Sequence, residues 1–306
     1  MARCIENNVT QNPETLNNPE QIQLSESEAL ELADELKKQL SEGGLSNTNH
    51  DQIVRMVAGL GDRRGMLRLT FAESLGTVGS SAVPYLCEAM RNHDSVTVRR
   101  AAAKTLTLIA DPDSLKDLMH ALLNDPDPVV QGSAVGAMVA IGAEAVDGLL
   151  DVLINPDSTE MQLGMASWGL SFVGARAPDI LRQAARSEHP QIRMAAIAAL
   201  GDQIQNLDDQ DARQLLTDSL NDPSAEVRAE ATTLLGKLHD SEWGEPLLLP
   251  KLHDQDPDVR KNAALSLMKL GAIHAIPAIQ ALVDNENNET VLAIFKLSIN
   301  QLQKDL

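Results

Sequence analysis

Residues 256–271 read DPDVRKNAALSLMKLG, and this stretch decides the fold. Asp256-Pro257 supplies a helix start, because a capping carboxylate is followed by a ring whose missing N–H costs nothing in the first turn. Val259, Ala263 and Leu267 then fall on one stripe at a spacing of four. Gly271 stands where a helix commonly ends in a left-handed residue. The pattern V-R-x-x-A-x-x-x-L followed by Gly is therefore one short amphipathic helix with its start and stop signals in place.

The same helix recurs upstream and downstream. Clear copies begin at Val98 (VRRAAAKTL), Ile192 (IRMAAIAALG) and Val227 (VRAEATTLLG), and weaker ones at Leu67, Val130, Gln162 and Val291. Successive copies lie about 32 residues apart, the signature of a stacked helical array. Between them run apolar stripes such as AVPYLCEAM, SLKDLMHALL, AVDGLLDVLI and AIPAIQALV, each predicting a first helix that packs on the second. Asp125-Pro126, Asn155-Pro156 and Asp222-Pro223 are read as further starts of the Asp256-Pro257 kind. Ala102, Ala134, Ala166, Ala196, Ala231 and Ala263 occupy the fourth position after the anchor, where a small side chain lets helices approach closely. Gly201, Gly236 and Gly271 are predicted to close their helices in the left-handed conformation.

The prediction is an all-α fold, an α-α superhelix of about eight two-helix repeats spanning residues 50–306. Ahead of it, SESEALELADELKKQL predicts an amphipathic capping helix within 25–49, with Leu30, Ala33, Leu36 and Leu40 at helical spacing. Residues 1–24 are rich in Asn, Gln, Pro and Glu without apolar periodicity, which predicts a disordered tail.

Composition agrees with an array and narrows the function. Aromatics make up only 2% of 306 residues against 43% apolar, so the core must be aliphatic. A formal charge of −19 disfavours nucleic acid or an anionic membrane as the main partner. No apolar run reaches bilayer length and the N-terminus lacks a signal-peptide core, so a cytoplasmic protein without membrane insertion is expected. The two cysteines, Cys4 and Cys87, offer no disulfide framework, and the seven histidines show no HExxH or paired spacing, so no metal is expected. No nucleophile or phosphate-loop motif is present, and Tyr85 is the single tyrosine.

The V-R-x-x-A-x-x-x-L-G helix preceded by Asp-Pro resembles a HEAT repeat, an armadillo-like helical fold. Its period and Ala-rich second helix are similar to the HEAT-like proteins of the phycobilisome lyase group, over residues 50–306. The resemblance implies proteins that attach or detach bilins on phycobiliprotein cysteines, a relative linked to phycobilisome degradation, and plain adaptors, one of which serves an iron–sulfur scaffold protein. It also implies a ladder in which the Arg after the anchor pairs with turn acids. Arg68, Arg99, Arg193, Arg228 and Arg260 match that position, Asp94, Asp222 and Asp256 are suitable acids, and Gln131 and Leu163 break the series.

The repeat anchored at Gln162 departs furthest from the pattern. Met165, Trp168 and Phe172 share a face that holds small or polar residues in the other copies. The corresponding positions beside it are Gly132, Ser133 and Gly136 on one side, and Met194, Ala195 and Ala198 on the other. The candidate partner-binding set is therefore Met165, Trp168, Phe172, Met194, Gly136 and Ala198, an apolar trough for a protein partner. Two placements stay open for Trp168: lining that trough, or turning into a gap left by Gly164 and Gly169. Trp243 is read as a staple at a helix start.

The function expected is a non-catalytic interaction scaffold without a cofactor, binding a helical or basic protein. The resemblance implies a phycobilisome or bilin-handling setting, with a phycobiliprotein as partner and a bilin as the ligand to consider. Two alternatives accompany it: a phycobilin lyase or lyase subunit, and an adaptor for an iron–sulfur scaffold protein.

Overall fold

In the computed structural model, the described residues are 23–45, 48–173 and 177–305. The expected tail lies outside them except for its last two residues. The fold is all-α, and among the described residues there is no strand. The chain forms two compact units, one ending at Ile109 and the other beginning at Ala110.

The first unit opens with α1 (Glu26–Ser41), started by a reciprocal capping box in which Ser25 and Glu28 satisfy each other's backbone N–H. Its buried face is Ala29, Leu32, Ala33 and Leu36, and it packs on α3. Leu30, expected on that face, is exposed because the stripe is rotated by one position. Two helical pairs follow: α2 (His50–Gly59) with α3 (Gly65–Val78), and α4 (Val83–Asn92) with α5 (Val96–Ile109). α3 and α5 pack side by side, and Phe71 of α3 is fully buried with its ring against Gly59 of α2.

The second unit contains six pairs. They are α6 (Leu115–Asn124) with α7 (Pro128–Ile141), α8 (Val146–Ile154) with α9 (Glu160–Val173), and α10 (Pro178–Ala184) with α11 (Pro190–Ala198), whose axis breaks before α12 (Gly201–Leu207). Next come α13 (Gln210–Ser219) with α14 (Ala225–Lys237), α15 (Ser241–Leu248) with α16 (Pro257–Lys269), and α17 (Ile276–Val283) with α18 (Glu289–Leu302). The second helices α7, α9, α11, α14, α16 and α18 pack each on the next. The alanines at the fourth position after the anchor, including Ala134, Ala166, Ala196, Ala231 and Ala263, are fully buried at these crossings.

The helix starts follow a tighter rule than the Asp-Pro reading gives. Asp256 does cap α16, accepting from the N–H groups of Asp258 and Val259. Asp125, Asn155 and Asp222 do not cap. Each instead accepts from the N–H two residues on, at 2.8, 3.0 and 2.8 Å. This side-chain turn delays the helix, so Asp127 caps α7 with Pro128 behind it. The prolines at 126, 156 and 223 therefore belong to the turns.

Helix ends are also more varied than expected. Gly79, Gly142 and Gly271 take positive φ, but Gly201 and Gly236 do not and lie within helices. Ala110 and His239 adopt left-handed backbone without being glycine, at φ 53° and 55°. A side chain in that region costs about 1–2 kcal/mol. His239 is exposed, so His239→Gly removes that strain at little loss of packing. The expected gain is about 0.5–1 kcal/mol after the extra unfolded-state freedom of glycine, read as a higher midpoint in chemical denaturation.

Candidate functional site

The turn edge of the repeats carries the arginine ladder. Each of Arg68, Arg99, Arg193, Arg228 and Arg260 donates from Nη1 to the carbonyl six residues before it, tying the second helix to its own turn. The guanidinium groups of Arg193, Arg228 and Arg260 also reach the next repeat. Arg193 holds Asp222 through Nε and Nη2 at 2.8 Å each, Arg228 holds Asp254 at 2.9 and 2.8 Å, and Arg260 holds Glu286 at 2.7 and 2.9 Å. Such bidentate pairs are stronger and more directional than ordinary hydrogen bonds.

Asp256, named from sequence as a ladder acid, is occupied with capping α16; the acid used is Asp254, two residues earlier. Asp94 meets Arg99 through its carbonyl oxygen, at 3.1 Å. Burial pushes the carboxyls of Asp222 and Asp254 upward, but the facing arginines and the turn N–H groups outweigh it and hold both below the usual range. Glu286 is held low first by its bond to Arg260.

At Gln131 and Leu163 the guanidinium is missing, and the structure shows what replaces it. Gln131 Nε2 keeps the bond to the carbonyl six residues back, at 2.8 Å to Asp125. In the next repeat Ser158 takes that role, donating to Val152 O at 2.8 Å. Gln162 is buried and donates from Nε2 to Leu122 O and Leu123 O at the end of α6, at 3.2 and 2.9 Å. Its Oε1 accepts from Thr159 N while Thr159 Oγ1 accepts from Gln162 N, a capping box at the start of α9. The Thr-x-x-Gln spacing of Thr159 and Gln162 is the signal for this box in the sequence, although Gln162 also fills the anchor position of its repeat.

Beside this altered ladder lies the apolar face of α9. Trp168 is 48% exposed and Phe172 55% exposed, with ring centroids 4.9 Å apart at a tilt of 51°. The rings are in tilted contact, at a centroid distance within the range of favourable aromatic pairs. Trp168 does not turn into the stack, and Gly169 explains why there is no gap to fill. A Cβ at Gly169 would lie 2.7 Å from Val135 and 3.2 Å from Leu149, so this glycine brings α9 close to α7 and α8.

Met161, 54% exposed, extends the stripe by one turn, and Val129 is exposed on α7. Neither belongs to the set expected from sequence, although Met161, Met165, Trp168 and Phe172 form a single run at spacings of four, three and four. Met165 is half-buried and leans toward Gly132, whose added Cβ would stand 4.0 Å from Met165 Cε. Gly136 is half-exposed, and a Cβ there would meet nothing within 4 Å. On α11, Met194 and Ala198 are half-buried, whereas Ala195 is buried and so falls out of the trough.

The remaining singled-out residues are placed elsewhere. Trp243 N–H donates to the capping Asp240 at the start of α15, and Arg213 lies over its ring at 4.7 Å. Tyr85 OH bonds His50 Nδ1 at 2.7 Å on the first helices, and Cys87 is buried. Cys4 is outside the described residues. Among the described residues no cluster of His, Cys, Asp or Glu is arranged to hold a metal, and no helix is long and apolar enough to cross a membrane.

Residues 53–139, 146–232 and 214–299 match the family of HEAT repeats, spanning both units. The chain belongs to the HEAT-repeat family. The chain is 45% identical over 281 residues to the bilin biosynthesis protein MpeU of Synechococcus sp. (strain WH8020), covering 92% of this chain and 95% of that protein. It is 31% identical over 147 residues to the uncharacterized phycocyanin operon protein Z of Pseudanabaena tenuis (strain PCC 7409), covering 46% of this chain and 73% of that protein. Among solved structures, a Kap95:Nup1 complex shares the helical-repeat fold with a TM-score of 0.50 at 16% identity, over 95% of this chain and 46% of that one.

Proposed function

We propose that this HEAT-repeat protein serves bilin biosynthesis by binding a phycobiliprotein that receives the bilin, using the exposed α9 face of Met161, Met165, Trp168 and Phe172. The observation that carries the reading is the end-to-end similarity to MpeU, which extends over 95% of a protein named for bilin biosynthesis. A solvent-exposed aromatic pair on a regular helix, flanked by methionines, is the composition of a protein contact centre rather than of proton-transfer chemistry.

The test joins one variant with two measurements. Trp168→Ala/Phe172→Ala removes exposed rings, so the denaturation midpoint should move by no more than about 0.5 kcal/mol. Affinity for an apo-phycobiliprotein, measured by titration calorimetry, should fall at least about tenfold, as expected for truncating an aromatic contact centre. Wild-type affinity in the double variant would overturn the assignment of the face, and no complex with the wild-type chain would overturn the function.

The same similarity also supports a second reading, in which the chain itself catalyses bilin attachment. Adding a linear tetrapyrrole to the mixture separates the two. A chromophore that survives denaturing electrophoresis on the acceptor, formed only when this chain is present and no other protein is added, establishes the catalytic reading. Complex formation without attachment establishes the scaffold.

A further inference from the structure

The face of α7 and α9 has a second property besides its aromatics. In a chain of formal charge −19, α7 (PVVQGSAVGAMVAI) has no charged residue and α9 (EMQLGMASWGLSFV) has only Glu160 in its first turn. Neither helix carries Lys, Arg or His. The edge where both helices begin is acidic: Asp127 precedes α7, and exposed Asp157 and Glu160 stand at the start of α9.

Relief along the two helices is as uneven as the charge. On α7, Gly132 and Gly136 are one turn apart; on α9, Gly164, Trp168 and Phe172 continue at successive spacings of four. A Cβ at Gly136 or at Gly164 would meet no other group within 4 Å. The result is a low floor of bare helix backbone beside an aromatic wall. Ridges at a spacing of four are what a second helix packs against, and glycines in the ridge let the two axes approach closely.

We propose that this groove takes an amphipathic α-helix of the partner protein, with its apolar side chains seated over Gly136 and Gly164 against Trp168 and Phe172, and with basic residues at the end that meets Asp127, Asp157 and Glu160. This deepens the proposed function by giving the chemistry of the partner segment, and it rests on that reading only for the partner's identity. Charge decides between occupants. A linear tetrapyrrole bearing propionate carboxylates would find no cation on α7 or α9 and carboxylates at their edge, whereas a Lys- or Arg-flanked helix is complementary to both features.

The experiment uses the full chain carrying Trp243→Phe, which leaves Trp168 as its one indole. Three probes are titrated against indole emission: a synthetic helical peptide with a Leu/Ala face and Lys flanks, the same peptide with Glu flanks, and biliverdin. The Lys peptide should give a saturable change that weakens as salt is raised, and the Glu peptide and biliverdin should bind at least about tenfold more weakly. Gly136→Leu and Gly164→Leu fill the floor while improving helix propensity, so they should abolish the Lys-peptide signal with an unchanged or raised denaturation midpoint.

Equal binding of the two peptides, tighter binding of biliverdin, no binding of the Lys peptide, or wild-type binding by the glycine variants would each overturn the proposal. A phycobiliprotein complex that persists unchanged in Gly136→Leu/Gly164→Leu overturns this groove and leaves the proposed function standing. Lys-peptide binding by a chain that forms no phycobiliprotein complex does the reverse.

Discussion

Arg228→Ala is expected to destabilise the repeats around α14 and α16 by about 3–5 kcal/mol, seen as a large fall in the denaturant midpoint. The reason is the state in which it leaves Asp254. The two side chains are 8% and 9% exposed, and Arg228 supplies both carboxylate oxygens with a donor while also bonding Asp222 O and Pro223 O. Removing the guanidinium leaves a desolvated carboxylate with the Asp256 N–H as its remaining donor here, and takes the side-chain donor from two turn carbonyls at once. Replacing both partners by apolar residues should cost far less, because no buried charge remains.

The same pair fixes the sign of the acid response. Asp254 and Asp222 are held below their usual values in the folded chain, so their contribution is complete above about pH 4, the unfolded range, and is lost as pH falls through the lower folded values. Wild-type stability should therefore decline on acidification below about pH 4, and Arg228→Ala should show a shallower decline. An equally steep acid limb in the variant would show that Asp254 is not a source of it.

Gly236→Ala is the second large effect, at the upper end of the 1–3 kcal/mol typical of overpacking or somewhat beyond. A Cβ at Gly236 would lie 2.5 Å from Ser266 Cβ and 2.7 Å from its Cα, so a helix backbone rather than a mobile tip stands in the way. Ser266 is fixed in turn by donating from Oγ to Thr232 O at 2.9 Å across the α14–α16 crossing. By ordinary helix propensity the same substitution would be stabilising by about 1 kcal/mol, so the sign alone discriminates. A raised midpoint in Gly236→Ala would mean that α14 and α16 do not approach as closely as they do here.

Gly236 and Gly271 show how sequence reading succeeds and fails. Gly236 stands nine residues after the anchor Val227 and Gly271 twelve after Val259, and the helix-end pattern in the sequence predicts the left-handed conformation for both. Gly271 has φ 65° and conforms; Gly236 stays helical and serves the crossing with α16. The chain offers the same residue for two physical needs, freedom at φ and lack of volume. The offset from the anchor separates them: Gly79, Gly142 and Gly271, twelve residues on, take positive φ, whereas Gly201 and Gly236, nine residues on, do not.

The capping pattern carries the same lesson. Asp125, Asp222 and Asp256 all precede Pro, yet only Asp256 caps a helix, because the outcome depends on which later residue can take over the free N–H groups. At α7 that residue is Asp127, and the turn before it is closed by Asp125 instead.

The sequence by itself determined the class of fold, the period, the pairing of helices and the buried alanines four residues after their anchors, because each follows from spacing along one helix and a helix fixes its own geometry. It also marked the repeat of Gln162 as different and Trp168 as the residue to watch. Tertiary structure alone decided that Trp168 and Phe172 face outward, that Gly169 is consumed by the approach of α9 to Val135 and Leu149, and that Gln162 reaches back to the carbonyls of α6. These outcomes depend on distances between helices about 32 residues apart in the chain. Such distances are set by the volumes of every side chain in the crossing, and no local periodicity encodes them.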